Sequence, residues 1–461
     1  MLFIELKNKK VVLMGLGVLG GGLGTAKYLA QSGARLLITD LKSAKELKDS
    51  LKELKKYRNI RYVLGQHRQQ DFRGKDLIVK NPGVPNNSAY LKIARKHNIP
   101  IETDTSLFFL INQGPVIGIT GSKGKSTTAT LVYQIFKEAK RQPVLAGNIR
   151  VSALSQLKKI KKRTPVILEL SSWQLNSIKK HKSSPFVSVI TNIFPEHLNR
   201  YSGIKAYVAD KKLIFQNQTE SDFVVLNKDN KITRQLGQEV VSQRYWFSRK
   251  YFSDENGCYI KSDFIFFRQN GREQKVIRVA DIKVRGTHNL ENILAAVCIA
   301  KIYGLGTKSV HRAVTQFKGL EDRLQLVKNY HGVKYYNDTT ATHPEAVIAA
   351  LDSFESKVIL IAGGADKKLN FAALAKKIKQ RARFLILLKG NASNKLLNEL
   401  NKVKFNNLVI VDTMPRAVKV AQFVAIANDI VLLSPGAASF NLFINEFDRG
   451  GQFKQCVKGL K

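Results

Sequence analysis

The chain has 461 residues, with 76 Lys plus Arg against 35 Asp plus Glu, a formal charge of +41 and a pI near 10.1. Hydrophobic content of 44% and charged content of 24% exclude a disordered chain, and the length accommodates several domains of roughly 100–200 residues. No apolar run reaches the ~18–20 residues of a membrane span. Met1–Lys10 lacks a signal-peptide core, and three scattered cysteines (Cys258, Cys298, Cys456) exclude a disulfide framework and a cysteine-based zinc finger. These features predict a cytoplasmic protein with no membrane insertion.

Short apolar runs alternate with helical periodicity, the rhythm of parallel α/β sheets. Strands are expected at Val11–Met14, Arg35–Thr39, Arg61–Leu64, Leu77–Val79 and Ile99–Glu102. The first runs into Gly15-Leu16-Gly17-Val18-Leu19-Gly20, where glycines permit a tight turn and let backbone N–H groups approach a diphosphate at a helix N-terminus. Asp40, ending the next strand, is where an acid meets a ribose hydroxyl. Taken alone this motif predicts NAD, but it equally suits another nucleotide or a nucleotide-sugar diphosphate.

A second block opens near Asp104 with a strand at Pro115–Thr120 and a helix over 125–139. Between them lies Gly118-Ile-Thr-Gly121-Ser122-Lys123-Gly124-Lys125-Ser126-Thr127, a shortened phosphate loop. The backbone N–H groups of 121–125 can cradle β- and γ-phosphates, Lys125 neutralise them, and Ser126 ligate Mg²⁺. The densest basic run, Lys158-Lys159-Ile160-Lys161-Lys162-Arg163, has the spacing of a solvated helix end. Charge elsewhere is spread along the chain rather than gathered in an arm, so no specific nucleic-acid partner is expected.

The strand Val166–Leu170 carries Glu169, at the place where a phosphate-loop protein needs a further Mg²⁺ ligand. His197 follows the strand Val187–Asn192, at the strand ends where open α/β sheets collect their active sites. After Phe223–Leu226, the pattern between Tyr245 and Val284 becomes short and alternating (Tyr259–Arg268, Val276–Val279), predicting a small antiparallel sheet. His288–Tyr303 reads as a buried helix. From near Gly319 a third block resumes with Val358–Ala362, Phe384–Leu388, Leu408–Val411 and Ile430–Leu433.

Gly121-Ser-Lys-Gly-Lys-Ser-Thr127, Leu168-Glu-Leu-Ser-Ser172, Glu196-His-Leu-Asn-Arg-Tyr201 and Gly286-Thr-His-Asn-Leu-Glu-Asn292 resemble, in order and spacing, the Mur ligases of peptidoglycan synthesis. Asn337-Asp-Thr-Thr-Ala-Thr342, Gly363-Gly-Ala-Asp-Lys367 and Leu433-Ser-Pro-Gly-Ala-Ala-Ser439 continue the likeness across the whole chain. Gly15-Leu-Gly17 and Asn81-Pro-Gly83 are most similar to the members that add D-glutamate.

The resemblance implies an α/β chain of three domains. These are a Rossmann-like UDP-substrate domain (1–104), a P-loop ATPase-like domain with an added antiparallel sheet (105–318), and a Rossmann-like amino-acid-binding domain (319–461). It also implies a reaction: ATP phosphorylates the alanyl carboxylate of UDP-N-acetylmuramoyl-L-alanine, and the D-glutamate amine attacks the acyl phosphate. Lys125, Glu169, His197 and Lys211 are then the catalytic set. Ser126 and Glu169 hold one Mg²⁺, and Glu169, His197 and Lys211 surround a second. Lys211 matches a lysine carbamylated in relatives, and a carbamate is an oxygen ligand of the kind Mg²⁺ prefers.

By the same likeness ATP is met by Gly121 through Thr127 with Asn292, Arg323 and Asp338. The UDP substrate is met by Val18, Leu19, Gly20, Asp40, Asn81, Gly83 and Asn148, and D-glutamate by Thr342, Lys367 and Ser439. The enzyme is expected to be a monomer. Thr340 stands where many relatives have Lys, Arg150 where they have Gly, and the order around Phe443–Gly450 differs. The alternatives are therefore a related ligase using another amino acid or acceptor and, from charge alone, a polyanion-binding protein.

Overall fold

A computed structural model of the chain describes residues 5–18, 20–195, 201–284, 286–366, 369–440 and 442–460. The expected site residues Leu19, His197 and Lys367 lie outside them. The chain forms two compact units, 1–281 with 291–315, and 282–290 with 316–461. Among the described residues no helix is long and apolar enough to cross a membrane.

The first unit holds two sheets. In the first, β1 (Lys10–Met14), β2 (Arg35–Asp40), β3 (Ile60–Leu64), β4 (Leu77–Lys80) and β5 (Ile101–Glu102) run parallel in the order β3-β2-β1-β4-β5, a doubly wound arrangement. β5 is shorter than the expected Ile99–Glu102 because Pro100 has no N–H for the ladder; its carbonyl instead accepts from Ile78.

The second sheet comprises β6 (Val116–Thr120), β7 (Val144–Gly147), β8 (Val166–Glu169), β9 (Val187–Ile190), β10 (Phe223–Asn227), β11 (Gln243–Ser248), β12 (Gly257–Lys261), β13 (Phe264–Gln269) and β14 (Arg272–Arg278). Its order is β14-β13-β12-β11-β10-β9-β6-β8-β7. β6, β8 and β9 are buried at every position, as a sheet covered on both faces requires. Leu131, Val132, Ile135 and Phe136 on the helix Lys125–Glu138 are among the residues that bury it.

The alternating segment differs in detail from expectation. The run Tyr259–Arg268 is broken at Ser262 and Asp263, both with positive φ (46° and 62°), into the hairpin β12–β13. β12 also pairs with β11, so the antiparallel strands extend the central sheet instead of standing apart from it.

One apolar cluster joins the two sheets of this unit, running from Ala26, Leu29 and Ala30 through Leu107 and Phe108 to Ala153, Leu154 and Leu168. Asp104 is partly buried at the join. Its carboxylate accepts from the Ser152 hydroxyl, from Thr25 Oγ1 (2.8 Å) and from the Ala153 N–H (3.0 Å), and burial raises its pKa.

In the second unit, β15 (Gln325–Tyr330), β16 (Val333–Asn337), β17 (Val358–Gly363), β18 (Ala382–Leu388), β19 (Leu408–Val411) and β20 (Ile430–Leu433) take the order β15-β16-β20-β17-β18-β19. All are parallel except the edge pair β15–β16. The C-terminal helix Glu446–Lys458 carries Arg449, which is fully buried. Its guanidinium donates to Thr339 Oγ1 (3.1 Å), the Thr339 carbonyl (2.9 Å) and the Ala437 carbonyl (3.2 Å). Burial holds its pKa down to about 10, with Glu446 opposing.

Arg449→Met would strand two carbonyls just past β16 and β20, while the Thr339 hydroxyl keeps its bond to the Glu446 carbonyl (2.7 Å). Such a loss costs about 1–3 kcal/mol, read as a lowered midpoint in denaturant unfolding. An unchanged midpoint would show that the packing closes over the lost donors.

Candidate active site

The first unit places two glycine-rich turns at the C-terminal ends of parallel strands. After β1, Gly15, Gly17 and Gly20 all have positive φ (91°, 61° and 87°). A side chain on Gly22 would stand 2.1 Å from the Leu16 carbonyl oxygen, so only glycine lets the helix Gly21–Gln31 begin there. Asp40 is buried and organises this turn: its Oδ2 accepts from the Gly17 N–H (2.8 Å) and its Oδ1 from the Lys42 N–H (2.9 Å). Asn81 packs under Gly15, and its Oδ1 accepts from the Gly83 N–H (3.0 Å), so Asn81 and Gly83 adjoin the glycine turn. Val18 is 55% exposed at its tip. Arg150 crosses nearby with φ 68°, left-handed geometry that favours glycine, and its carbonyl would lie 3.2 Å from a side chain on Gly20.

The second turn follows β6. Gly121 (φ 149°) has no room for a side chain because Thr191 Oγ1 would lie 1.9 Å away, and at Gly124 (φ 87°) Asn292 Oδ1 would lie 2.1 Å away. The loop is clamped from β9: Thr191 Oγ1 donates to the Lys123 carbonyl (2.6 Å), and Asn192 Oδ1 accepts from the Lys123 N–H (2.9 Å). Ser122 Oγ bonds the Phe194 backbone and meets the Tyr207 hydroxyl at 3.2 Å. Lys125 Nζ folds over the loop and donates to the Gly121 and Ser122 carbonyls (2.9 and 3.0 Å). Thr127 is buried behind it, while Ser126 remains partly exposed at the helix start. Asn292, from the helix Thr287–Ile302, reaches this loop, and its Oδ1 lies 3.4 Å from Thr128 Oγ1.

Glu169, at the end of β8, is 2% exposed. β7 lies alongside in register, Gly147 opposite Glu169, so Asn148 Nδ2 donates to Glu169 Oε1 at 2.7 Å. Glu169 Oε2 is buried with no hydrogen-bond donor among the described residues. Lys211, on the helix Ile204–Lys212, is 1% exposed. Its Nζ donates to the Gly121 carbonyl (2.9 Å) and Thr120 Oγ1 (3.3 Å) and lies 4.7 Å from the centre of the Tyr207 ring. Two of the four expected metal-site residues, Glu169 and Lys211, thus lie on the strand beside the phosphate loop and against the loop itself. No cluster of three His, Cys, Asp or Glu occurs among the described residues.

In the second unit Asp338 follows β16 and is buried. Its Oδ2 accepts from Ser434 Oγ (2.8 Å) and its Oδ1 from the Leu324 N–H (3.2 Å). Burial pushes its pKa up to about 7, against the pull of Ser434 and of the Arg323 guanidinium. Arg323 also acts on His288, whose pKa is lowered chiefly by burial and then by this cation. Thr340 Oγ1 donates to the Asp322 carbonyl (3.0 Å), so a neutral hydroxyl closes this loop. Ala365 and Ala438 form a two-way backbone bridge (2.9 and 3.0 Å), and Gly436 N–H donates to the Ala341 carbonyl (2.8 Å). These bonds gather the segments bearing Thr342, Asp366 and Ser439 at the ends of β16, β17 and β20. Thr191, Asn192, Asp104 and Arg449 were not anticipated. The first two lie just past an apolar strand, where polar residues signal a strand-end site; Arg449 carried no signal in a chain so rich in cations.

Three family models match in succession: the MurD-like N-terminal domain of Mur ligases over residues 9–103, the Mur ligase middle domain over 119–300, and the Mur ligase glutamate ligase domain over 322–436. A UDP-N-acetylmuramoylalanine–D-glutamate ligase of Roseiflexus sp. (strain RS-1) is 42% identical, covering 99% of this chain and all of that relative. The ligase of the same name from Borreliella burgdorferi (strain B31) is 38% identical, covering both chains fully. Among solved structures, the UDP-N-acetylmuramate–alanine ligase MurC of Thermotoga maritima has the same fold, with TM-score 0.66 at 19% identity over 98% of this chain and 100% of that one. With its three domain models matched in order and full-length relatives well above 30% identity, the chain belongs to the Mur ligase family.

Proposed function

We propose that this chain joins D-glutamate to UDP-N-acetylmuramoyl-L-alanine at the expense of ATP, forming an amide bond in the synthesis of peptidoglycan precursors. The observation that carries the proposal is Glu169: a buried carboxylate with one oxygen held by Asn148 and the other without a protein donor, on the strand beside a phosphate loop. A family likeness covering the whole of the D-glutamate-adding relatives supports the choice of substrates.

Carboxylates are poor electrophiles, and bringing the γ-phosphate to the alanyl carboxylate forces anions together. Lys125 and the N–H groups at the helix start, Gly124–Thr127, offset that charge and hold the phosphates in line. Mur ligases are ATP-dependent and require Mg²⁺, which when bound neutralises part of this charge. The uncommitted Glu169 Oε2 and the Ser126 hydroxyl fit a Mg²⁺ site. We assign a second ion to Glu169, His197 and Lys211. Lys211 fills that role as a carbamate, since an ammonium group cannot ligate a cation.

Asn292, Arg323 and Asp338 would complete the ATP site. Val18, Leu19, Gly20, Asp40, Asn81, Gly83 and Asn148 would hold the UDP substrate, with Asp40 acting by shaping the glycine turn. Thr342, Lys367 and Ser439 would receive the D-glutamate carboxylates. The reading has three domains, 1–104, 105–318 and 319–461, in a cytoplasmic monomer.

A second reading, ligation of a different amino acid, is favoured by one observation: the neutral Thr340 and its bond to Asp322. An amino-acid panel separates the two. With UDP-N-acetylmuramoyl-L-alanine and MgATP, phosphate release should require D-glutamate, and the UDP-linked product should gain the mass of one glutamyl residue. Turnover indifferent to the amino acid, or a product of another mass, would sink the first reading.

Lys125→Ala should reduce turnover by at least about 10³-fold, the scale of losing a group that stabilises transferring charge. Lys211→Ala should be similarly inactive, and short carboxylates such as acetate or formate should restore part of its rate by supplying the missing oxygen. Absence of rescue in a folded variant would count against the carbamate.

A further inference from the structure

A cavity of about 690 Å³ in the first unit lies beside the end of β4, apart from both glycine turns. Lys80, Arg95, Lys179, Lys180 and Lys182 line it, and no described acidic residue does. Lys180 is neutralised from behind by Glu102, at 2.7 Å. Among the described residues the other four have no carboxylate partner: Lys80 Nζ donates to the Val84 carbonyl (2.9 Å), Arg95 donates to the Asn86 carbonyl (2.8 Å), and Lys179 and Lys182 extend from the surface. Burial, and then the Arg95 charge, lower the Lys80 pKa to about 8. Like charges converging on one partly enclosed space raise each other's energy, and an entering anion relieves that.

We propose that this cavity binds a small phosphorylated organic molecule, its phosphate met by Lys80, Arg95, Lys179 and Lys182 and its carbon frame by Trp173. The size is that of an organic ligand site and far exceeds a bare ion. A phosphomonoester offers up to two charges and three acceptor oxygens, enough to engage several ammonium groups and a guanidinium fork together. None of the residues of the phosphate loop or of the glycine turn lines the cavity, so its ligand is additional to ATP and to the UDP diphosphate. It does abut a second cavity, of about 490 Å³, through Lys80 and Trp173, and that one reaches Pro82 and Gly83. Its occupant therefore sits one step from the proposed UDP-substrate segment.

Calorimetry on the full chain, saturated with MgADP and UDP-N-acetylmuramoyl-L-alanine, tests this with glucose 6-phosphate, inorganic phosphate and citrate as probes. Glucose 6-phosphate should bind saturably and more tightly than phosphate or citrate. The double variant Lys179→Gln/Lys182→Gln and, separately, Lys80→Met should each weaken it about tenfold or more. Lys158→Gln/Lys159→Gln, removing two exposed cations elsewhere, should leave it unchanged. If Lys80→Met fails to fold, the surface pair alone decides. Absence of saturable binding, equal weakening by the Lys158/Lys159 pair, or binding of phosphate or citrate as tight as that of the sugar phosphate would overturn the proposal.

Discussion

Backbone N–H groups can face an anion only where a strand turns into a helix and no side chain stands in the way. At Gly121 a single added carbon would collide with Thr191, and at Gly124 with Asn292. Those same neighbours build the site. Thr191 and Asn192 clamp the loop at Lys123, and Asn292 brings in a helix whose middle is wholly buried. The close approach that forbids a side chain at these positions also fixes the register of β6, β9 and the buried helix around the loop. The glycine turn after β1 repeats the solution with other parts, Asp40 taking the Gly17 N–H and Asn81 filling the space beneath Gly15.

The second recurring device is burial of ions among neutral partners. Glu169 is held by an amide, Asp338 by a hydroxyl and an N–H, and Arg449 by two carbonyls and a hydroxyl. Such partners orient a charged group without cancelling its charge, leaving it able to answer a ligand's. Arg449 shows the structural use of the device: it ties the turn after β16 to the turn after β20, so the loop carrying Asp338 is positioned by a helix remote from it in sequence.

Much of this was legible beforehand because the signals are local. Apolar runs of four to six residues mark buried parallel strands, and β1, β2, β6, β8, β17 and β20 all begin within a residue of the expected position. Glu169 was legible for the same reason, an acid closing a strand with no other polar residue in it. What escaped depends on partners distant in sequence. Asp40 reads only as a ribose ligand, and its hold on the Gly17 N–H depends on a turn 23 residues away. The break at Ser262–Asp263 is invisible to alternation because both halves of the hairpin keep the same period. Asp104 reads as a boundary, whereas it binds groups from both sheets of its unit.

The large positive charge divides along similar lines. Lys158 and Lys159 are exposed while Ile160 between them and the next lysine packs against the core, so that run is a solvated edge anchored by one apolar residue. Ion pairs such as Lys402–Glu399 and Arg278–Asp263 are largely exposed and contribute little. Charge gains meaning where geometry concentrates it, as in the cation-lined cavity beside β4. In water, salt screens the dispersed lysines within about 10 Å, but it screens far less effectively in a partly enclosed space. A net charge of +41 therefore attracts anions in general, and only these few enclosed positions can choose among them.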